Sequence, residues 1–189
     1  NNNNKASVVC GSILTSEKHL CHDNHLRYRY ETAASKIRNV NFQKSHPYEH
    51  FSTFNVMIRR SVFHEVTFNE KLTKYGYEDT LFGLELQKKH IPISYIDNPL
   101  IHTGIDSNES YLRKTETALR NLHDFINLFG SRGTAISRTA AGIRRYHLAP
   151  AVKLWHSIFA TWERHNLLSD RPNLFLFKLY KLGYYLSLK

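Results

Sequence analysis

Two cysteines in 189 residues, Cys10 and Cys21, are too few for a disulfide framework. Cys10 lies in the apolar run Ala-Ser-Val-Val-Cys-Gly-Ser-Ile and reads as a small core residue, which fits a reducing compartment. Methionine is scarcer still. Met57 stands alone, so Asn1 is not a translation start, and the chain is expected to follow a removed leader or to be the tail of a longer protein. No basic stretch followed by an apolar one forms a secretory signal. No run approaches the roughly 18 apolar residues that span a bilayer. Internal repeats are absent. Acid is short in one half only: residues 1–106 carry 13 Lys/Arg against 11 Asp/Glu, residues 107–189 carry 13 against 5. The basic excess belongs to the C-terminal part.

What remains is globular, with 41% hydrophobic and 13% aromatic residues, enough for a sizeable core in one or two domains. The pattern predicts a buried strand over Ala6–Ile13, a helix over His25–Arg38, and a polar loop around Pro47. A second strand is expected over Phe51–Arg60, then a helical turn capped by Ser61. A helix is predicted over Glu78–Lys89, a strand over Ile93–Ile96, and an extended segment ending at His102 and Gly104. This alternation argues for an α/β layer. Beyond Ile105, Ser107 caps a predicted helix over Glu109–Phe129 that Gly130 stops. Ser131–Gly142 reads as a flexible basic connection, and Pro150 and Pro172 each open a further helix.

Within the stretch Lys-Tyr-Gly-Tyr-Glu-Asp-Thr-Leu, the neighbouring acids Glu78 and Asp79 admit two readings. Acids in a first helical turn favour the exposed amides there, by roughly 0.3–1 kcal/mol. A carboxylate at the rim of an α/β sheet can also serve as general base towards a hydroxyl. His102 follows Asp79 by 23 residues, with the Ile93 strand between them. That order lets the helix-start acid and the strand-end imidazole meet at one sheet edge. A histidine so placed is an ordinary loop residue, a metal ligand or a phosphate partner.

The run from Phe51 to Gly104 resembles the acceptor-side half of a family 2 glycosyltransferase of the GT-A fold. It carries the Phe-led strand with Asn55, the Phe-Asn-Glu-Lys-Leu entry, the Gly-Tyr-Glu-Asp-Thr turn and the Pro-Leu-Ile-His exit, in order. The likeness extends over about residues 6–122. It implies a partial GT-A sheet of α/β class in residues 1–106, with 107–189 as a basic helical C-terminal extension. It also implies transfer of a sugar, with inversion, from a nucleotide-sugar donor to a hydroxyl of a glycan or lipid-linked acceptor, as in polysaccharide biosynthesis. By that resemblance Asp79 is the catalytic base and Glu78 helps hold the acceptor. Gly76, Tyr77 and Asn55 are substrate-binding positions, Tyr77 stacking on a sugar face. His102 is similar in position to a ligand of the divalent metal, Mn or Mg, on the nucleotide diphosphate. The implied location is the cytoplasm or the inner face of the membrane.

The family's Asp-x-Asp motif and any glycine-rich phosphate loop are missing. The chain is therefore expected to begin just after that motif, with roughly a hundred residues lost. It would supply an acceptor base without a complete donor site, and would not turn over alone. The rival reading is a non-catalytic membrane- or partner-docking fragment of the same fold.

Two further features stay open. His19, Cys21, His22, Asp23 and His25 form either a polar loop near the active site or, less in keeping with zinc-site spacing, a metal cluster. The basic C-terminal part reads as helices with solvated charges or as a dock for an anionic membrane surface, the final aromatic and lysine-bearing segment suiting the latter. No recognised motif supports nucleic acid. Trp155 and Trp162, one helical face apart, read as core.

Overall fold

The structure, a computed structural model, describes residues 6–130 and 133–189. Its class is α/β, with eight α-helices among the described residues and small sheets of two and three strands. Two compact units emerge. The first holds the described residues through His19, together with Glu31–Lys71 and Glu78–Gly104; the second holds Leu20–Tyr30, Leu72–Tyr77 and the described residues from Ile105 to Lys189.

In the first unit, β1 (Val8–Cys10) is central, antiparallel to β3 (Val56–Ile58) and parallel to β4 (Ile93–Tyr95). A separate parallel pair joins β2 (Ile13–Thr15) to β5 (Leu100–His102), with Thr15 opposite His102. The core gathers Val8, Cys10, Phe51, Phe82, Leu86 and Tyr95, where α4 (Glu78–Lys88) lays its buried face. Cys10 is a core thiol as expected: burial pushes it up to about 12, and the hydrogen bond with Tyr95 only partly opposes that. At such a value it carries almost no thiolate.

The predicted first strand is broken in two at Gly11 and Ser12, for a steric reason. Gly11 N–H donates to Asn55 O at 2.9 Å, and the Asn55 side chain crosses directly over it. A Cβ at Gly11 would lie 2.2 Å from Asn55 Nδ2 and 2.4 Å from the Asn98 carbonyl oxygen. Gly11→Ala is therefore expected to destabilise this unit by the upper end of the ~1–3 kcal/mol typical of overpacking, and more if the Asn55 bonds break. Urea melts of the two proteins measure it.

The second predicted strand shrinks to Val56–Ile58, because Phe51 turns into the core and Thr53 turns to Asp79. The loop around Pro47 is preceded by an unforeseen helix, α2 (Val40–Ser45), capped by the Asn39 side chain on Phe42 N–H. The turn expected to start at Ser61 is α3 (Arg60–Glu65), whose N-cap is Arg59 with no side-chain bond. Ser61 lies inside it. α1 (His25–Ile37) matches its predicted span to within a residue.

The second unit is helical. α5 (Asn108–Asp124) starts on the Ser107 cap as predicted, and buries Leu112, Leu119 and Leu122. It ends five residues early, in a 3-10 turn at Ile126–Phe129 before Gly130. The supposed flexible connection is mostly α6 (Ala135–Arg145), opened by a capping box between Thr134 and Ser137; Ser131 and Arg132 lie outside the described residues. α7 (Ala149–Leu167) carries Pro150 in its first turn, and α8 (Leu174–Ser187) starts on Asn173 rather than Pro172. α8 packs on α5 and α7. It buries Phe177, Tyr180, Tyr185 and Leu186, and Lys181 lies 4.4 Å from the Phe177 ring centroid. Three of the five aromatic residues of α8 face inward, while Phe175 stands 65% exposed.

Asp106 anchors the entry to α5, paired with Arg27 and, at 2.7 Å, with Lys114. Burial pushes its carboxyl up, but the two cations outweigh that and hold it below the ordinary value. A depressed folded value means stability that is present above the unfolded carboxylate range, near 3.9, and lost as pH falls through the folded value. Asp106→Asn should cost about 1–3 kcal/mol at neutral pH. The gap from the parent should close in urea melts as pH falls through the depressed folded value, where the parent carboxylate protonates too.

Candidate functional site

The N-terminus of α4 is where the sequence places its acids, and the structure gives each a different environment. Asp79 is held from both sides: Thr53 N–H donates to Oδ2 at 3.1 Å, and Thr53 Oγ1–H donates to Oδ1 at 2.8 Å. Thr53 is 26 residues upstream, so this bond pair ties the loop after Phe51 to the helix start. Each carboxylate oxygen keeps a further lone pair. Glu78 differs. Its Oε2 is buried and has no hydrogen-bond partner among the described residues. An acceptor in that state costs roughly 1–3 kcal/mol until a donor meets it.

His102 ends β5. Its Nδ1 lies 2.9 Å from Glu31 Oε2, and its ring meets Phe54 edge-on at a centroid distance of 5.0 Å. With Nδ1–H donating to Glu31, the neutral ring keeps its lone pair on Nε2. Beside it, Thr15 and Thr32 share a hydrogen bond of 2.8 Å. Thr53 thus holds Asp79 while its chain neighbour Phe54 touches His102. One peptide step connects the contacts of the carboxylate with those of the imidazole. Glu31 and Thr53 were not singled out in the sequence, and neither lies in a pattern that could have flagged it.

Asn55 is fully engaged as a donor. Its Nδ2 bonds the carbonyl oxygens of Ser12 at 3.1 Å and Asn98 at 2.8 Å, clamping two loops that follow strands of the first unit. It stands one residue before β3, and these bonds give it a framework task.

Gly76 and Tyr77 belong to the second unit. Gly76 has φ of +104°, and its missing Cβ leaves room for Ala118 of α5; a Cβ there would fall 2.3 Å from the Ala118 Cβ. Asn121 Nδ2 donates to the carbonyl oxygens of Lys74 and Gly76, at 3.2 and 2.9 Å, and fixes the turn. Tyr77 also has positive φ, 71°, a sparse conformation for a side-chain-bearing residue. Its ring meets Phe129 edge-on at 6.0 Å. Burial raises its hydroxyl well above the ordinary tyrosine value, with smaller contributions from Tyr30 and Tyr185, so it is a neutral donor at physiological pH.

The chain's donor set for a metal is narrow. Among the described residues no three His, Cys, Asp or Glu side chains converge on one point, the His19–His25 region included. Of the residues predicted for the sheet's rim, His102 fits a ligand role, since the Glu31 carboxylate on its far ring nitrogen orients and enriches the imidazole. One imidazole can complete a coordination sphere supplied mainly by phosphate oxygens; it cannot build one. A depression of about 620 Å3 lies along residues 65–71, Glu85 and Lys89; the Phe68–Lys71 part of the Phe-Asn-Glu-Lys-Leu motif lines it, and none of the predicted site residues does.

Compared with models of protein families, with curated proteins and with solved structures, the chain matches none.

Proposed function

We propose that the first unit is the acceptor-side portion of a GT-A-type, inverting glycosyltransferase that uses a nucleotide-sugar donor. The observation that carries this reading is the contrast at the start of α4. Asp79 is tethered by two hydrogen bonds, and Glu78 beside it keeps a buried oxygen with no partner among the described residues. A helix cap would satisfy its carboxylates with local amides. A fixed base whose oxygens keep free lone pairs is what a sugar hydroxyl requires, and the buried Glu78 oxygen would meet one once its side chain turns outward.

In this reading the acceptor hydroxyl donates to Glu78 while Asp79 takes the proton of the attacking hydroxyl. The hydroxyl oxygen bonds to the anomeric carbon as the bond from that carbon to the diphosphate oxygen breaks, and the nucleoside diphosphate departs. Thr53 keeps the Asp79 carboxylate pointed at the nucleophile. Glu31 fixes the His102 ring so that Nε2 is the nitrogen offered outward. A divalent ion, Mn or Mg, would take that nitrogen as one ligand and neutralise charge developing on the leaving diphosphate.

The test is a transfer assay on the polypeptide as it is made in the cell, with a panel of nucleotide sugars and hydroxyl acceptors. Release of nucleoside diphosphate that depends on both acceptor and divalent cation supports the proposal. Binding of neither donor nor acceptor, by calorimetry over the whole panel, rejects it.

A further inference from the structure

The second unit carries a surface that sugar transfer does not use. On α7 the side facing the unit's interior buries His156, Glu163 and Leu167. The opposite side shows Leu154, Trp155, Ile158 and Trp162, which are 61, 41, 61 and 53% exposed. These positions, i, i+1, i+4 and i+8, make one stripe along two turns. Four large apolar side chains standing side by side in water differ from the scattered exposure of ordinary surfaces. Phe159 meets both indoles, tilted against Trp155 at 4.2 Å and edge-on to Trp162 at 6.5 Å between centroids.

Charge selects the occupant. No acid occurs between Asp124 and Glu163, and Glu163 is completely buried. The exposed charges along this part of the chain are cationic: Arg144 and Arg145 close α6, one tight turn before α7, and Lys153 lies about 100° round α7 from Leu154, off the stripe. A second copy meeting this face would bring together two units of the same strongly basic charge, 13 Lys/Arg against 5 Asp/Glu over residues 107–189. An anionic lipid surface meets that charge with its opposite and accepts the apolar stripe beneath its headgroups. Indole suits that boundary. Trp155 Nε1–H already donates to Glu163 at 3.0 Å, so taking that ring out of water leaves no orphaned donor. Among the described residues no helix is long and apolar enough to cross a membrane, so contact through α7 is in-plane.

We propose that the outer face of α7 docks on the surface of an anionic lipid bilayer, to which the basic excess of residues 107–189 draws the second unit. Docking by this face is independent of whether the first unit transfers sugar. Trp155 and Trp162 are the chain's two tryptophans, so its indole emission reports directly on the stripe.

The experiment mixes the full chain with vesicles of phosphatidylcholine containing about one-third phosphatidylserine, or none, at rising salt. The expected result is co-sedimentation with the anionic vesicles only, weakening with salt, with blue-shifted indole emission shielded from iodide. Replacing Leu154 and Ile158 together with aspartate should lower vesicle affinity roughly tenfold or more and leave the melting temperature near that of the parent, since both side chains stand in solvent. Three results overturn the proposal: equal binding to neutral vesicles, anionic binding with unchanged emission, or indoles shielded in a vesicle-free dimer. The last would assign the face to a second copy.

Discussion

Asp79→Asn is expected to lower sugar transfer by roughly 10²–10⁴-fold while the acceptor KM stays within a fewfold of the parent value. Asparagine is nearly the same shape, and its one carbonyl oxygen can still accept from Thr53. What it loses is the capacity to take a proton. Thr53→Val separates positioning from chemistry. It deletes the 2.8 Å bond to Oδ1 and keeps the backbone bond to Oδ2. The carboxylate remains but can swing, so kcat should fall by roughly tenfold with little change in KM. Glu78→Gln should act on the other parameter, since Glu78 is assigned to hold the acceptor; its main effect is a raised acceptor KM. Steady-state kinetics on the three variants, each checked by thermal melting, resolves these roles. If Asp79→Asn retains full turnover with an intact fold, the two bonds to Thr53 are a loop clasp and the base lies elsewhere.

The parts of the fold legible in the sequence are those that advertise themselves locally. α5 combines a serine cap with a long buried stripe, and α1 and α4 fill their predicted spans nearly to the residue. Of the two overlooked helices, α2 is polar and its signal is the Asn39 cap on Phe42; α6 adds to the Thr134–Ser137 capping box a stripe of Ile136, Ala140 and Ile143 at helical spacing. A search led by large apolar side chains passes over both. Strand lengths failed because what ends a strand is tertiary. Gly11 breaks the first because Asn55 lies across it, 44 residues later, and no feature near Gly11 announces that contact.

The site shows the same division. Glu78 and Asp79 stand out as paired acids at a helix start. Thr53 and Glu31 are single polar residues whose importance comes only from what the fold brings to them, across 26 and 71 positions. The tryptophans teach the complementary lesson. Their spacing correctly puts Trp155 and Trp162 on one side of a helix, but spacing cannot say which side faces inward. The inward side of α7 is instead polar at its centre, with His156 and Glu163, and that choice becomes intelligible only once α8 is laid against it.

That polar centre supports the second large expectation: Glu163→Ala should destabilise the second unit by about 3–5 kcal/mol. Glu163 is completely buried, accepting from Trp155 Nε1–H at 3.0 Å and lying 3.3 Å from His156 Nδ1. His156 in turn packs edge-on against Tyr180 of α8 at 5.3 Å. Alanine would strand two donors and open a cavity, so two penalties combine. Glu163→Gln keeps the volume and an acceptor for the indole, and should cost only about 1–2 kcal/mol. The crossing with α8 is equally unforgiving. Gly183 allows the His156 ring to rest on the α8 backbone, and an added Cβ would lie 2.6 Å from His156 Cβ and 2.8 Å from its Nδ1. Gly183→Ala must push the helices apart or turn the imidazole away from Glu163, and either response breaks the buried pair. Its cost should therefore approach that of Glu163→Ala, and the double variant should cost much less than the two together. Denaturant melts of the four proteins measure this coupling. Full additivity would show that the glycine and the carboxylate act on separate structures, and that the helix crossing does not depend on the buried pair.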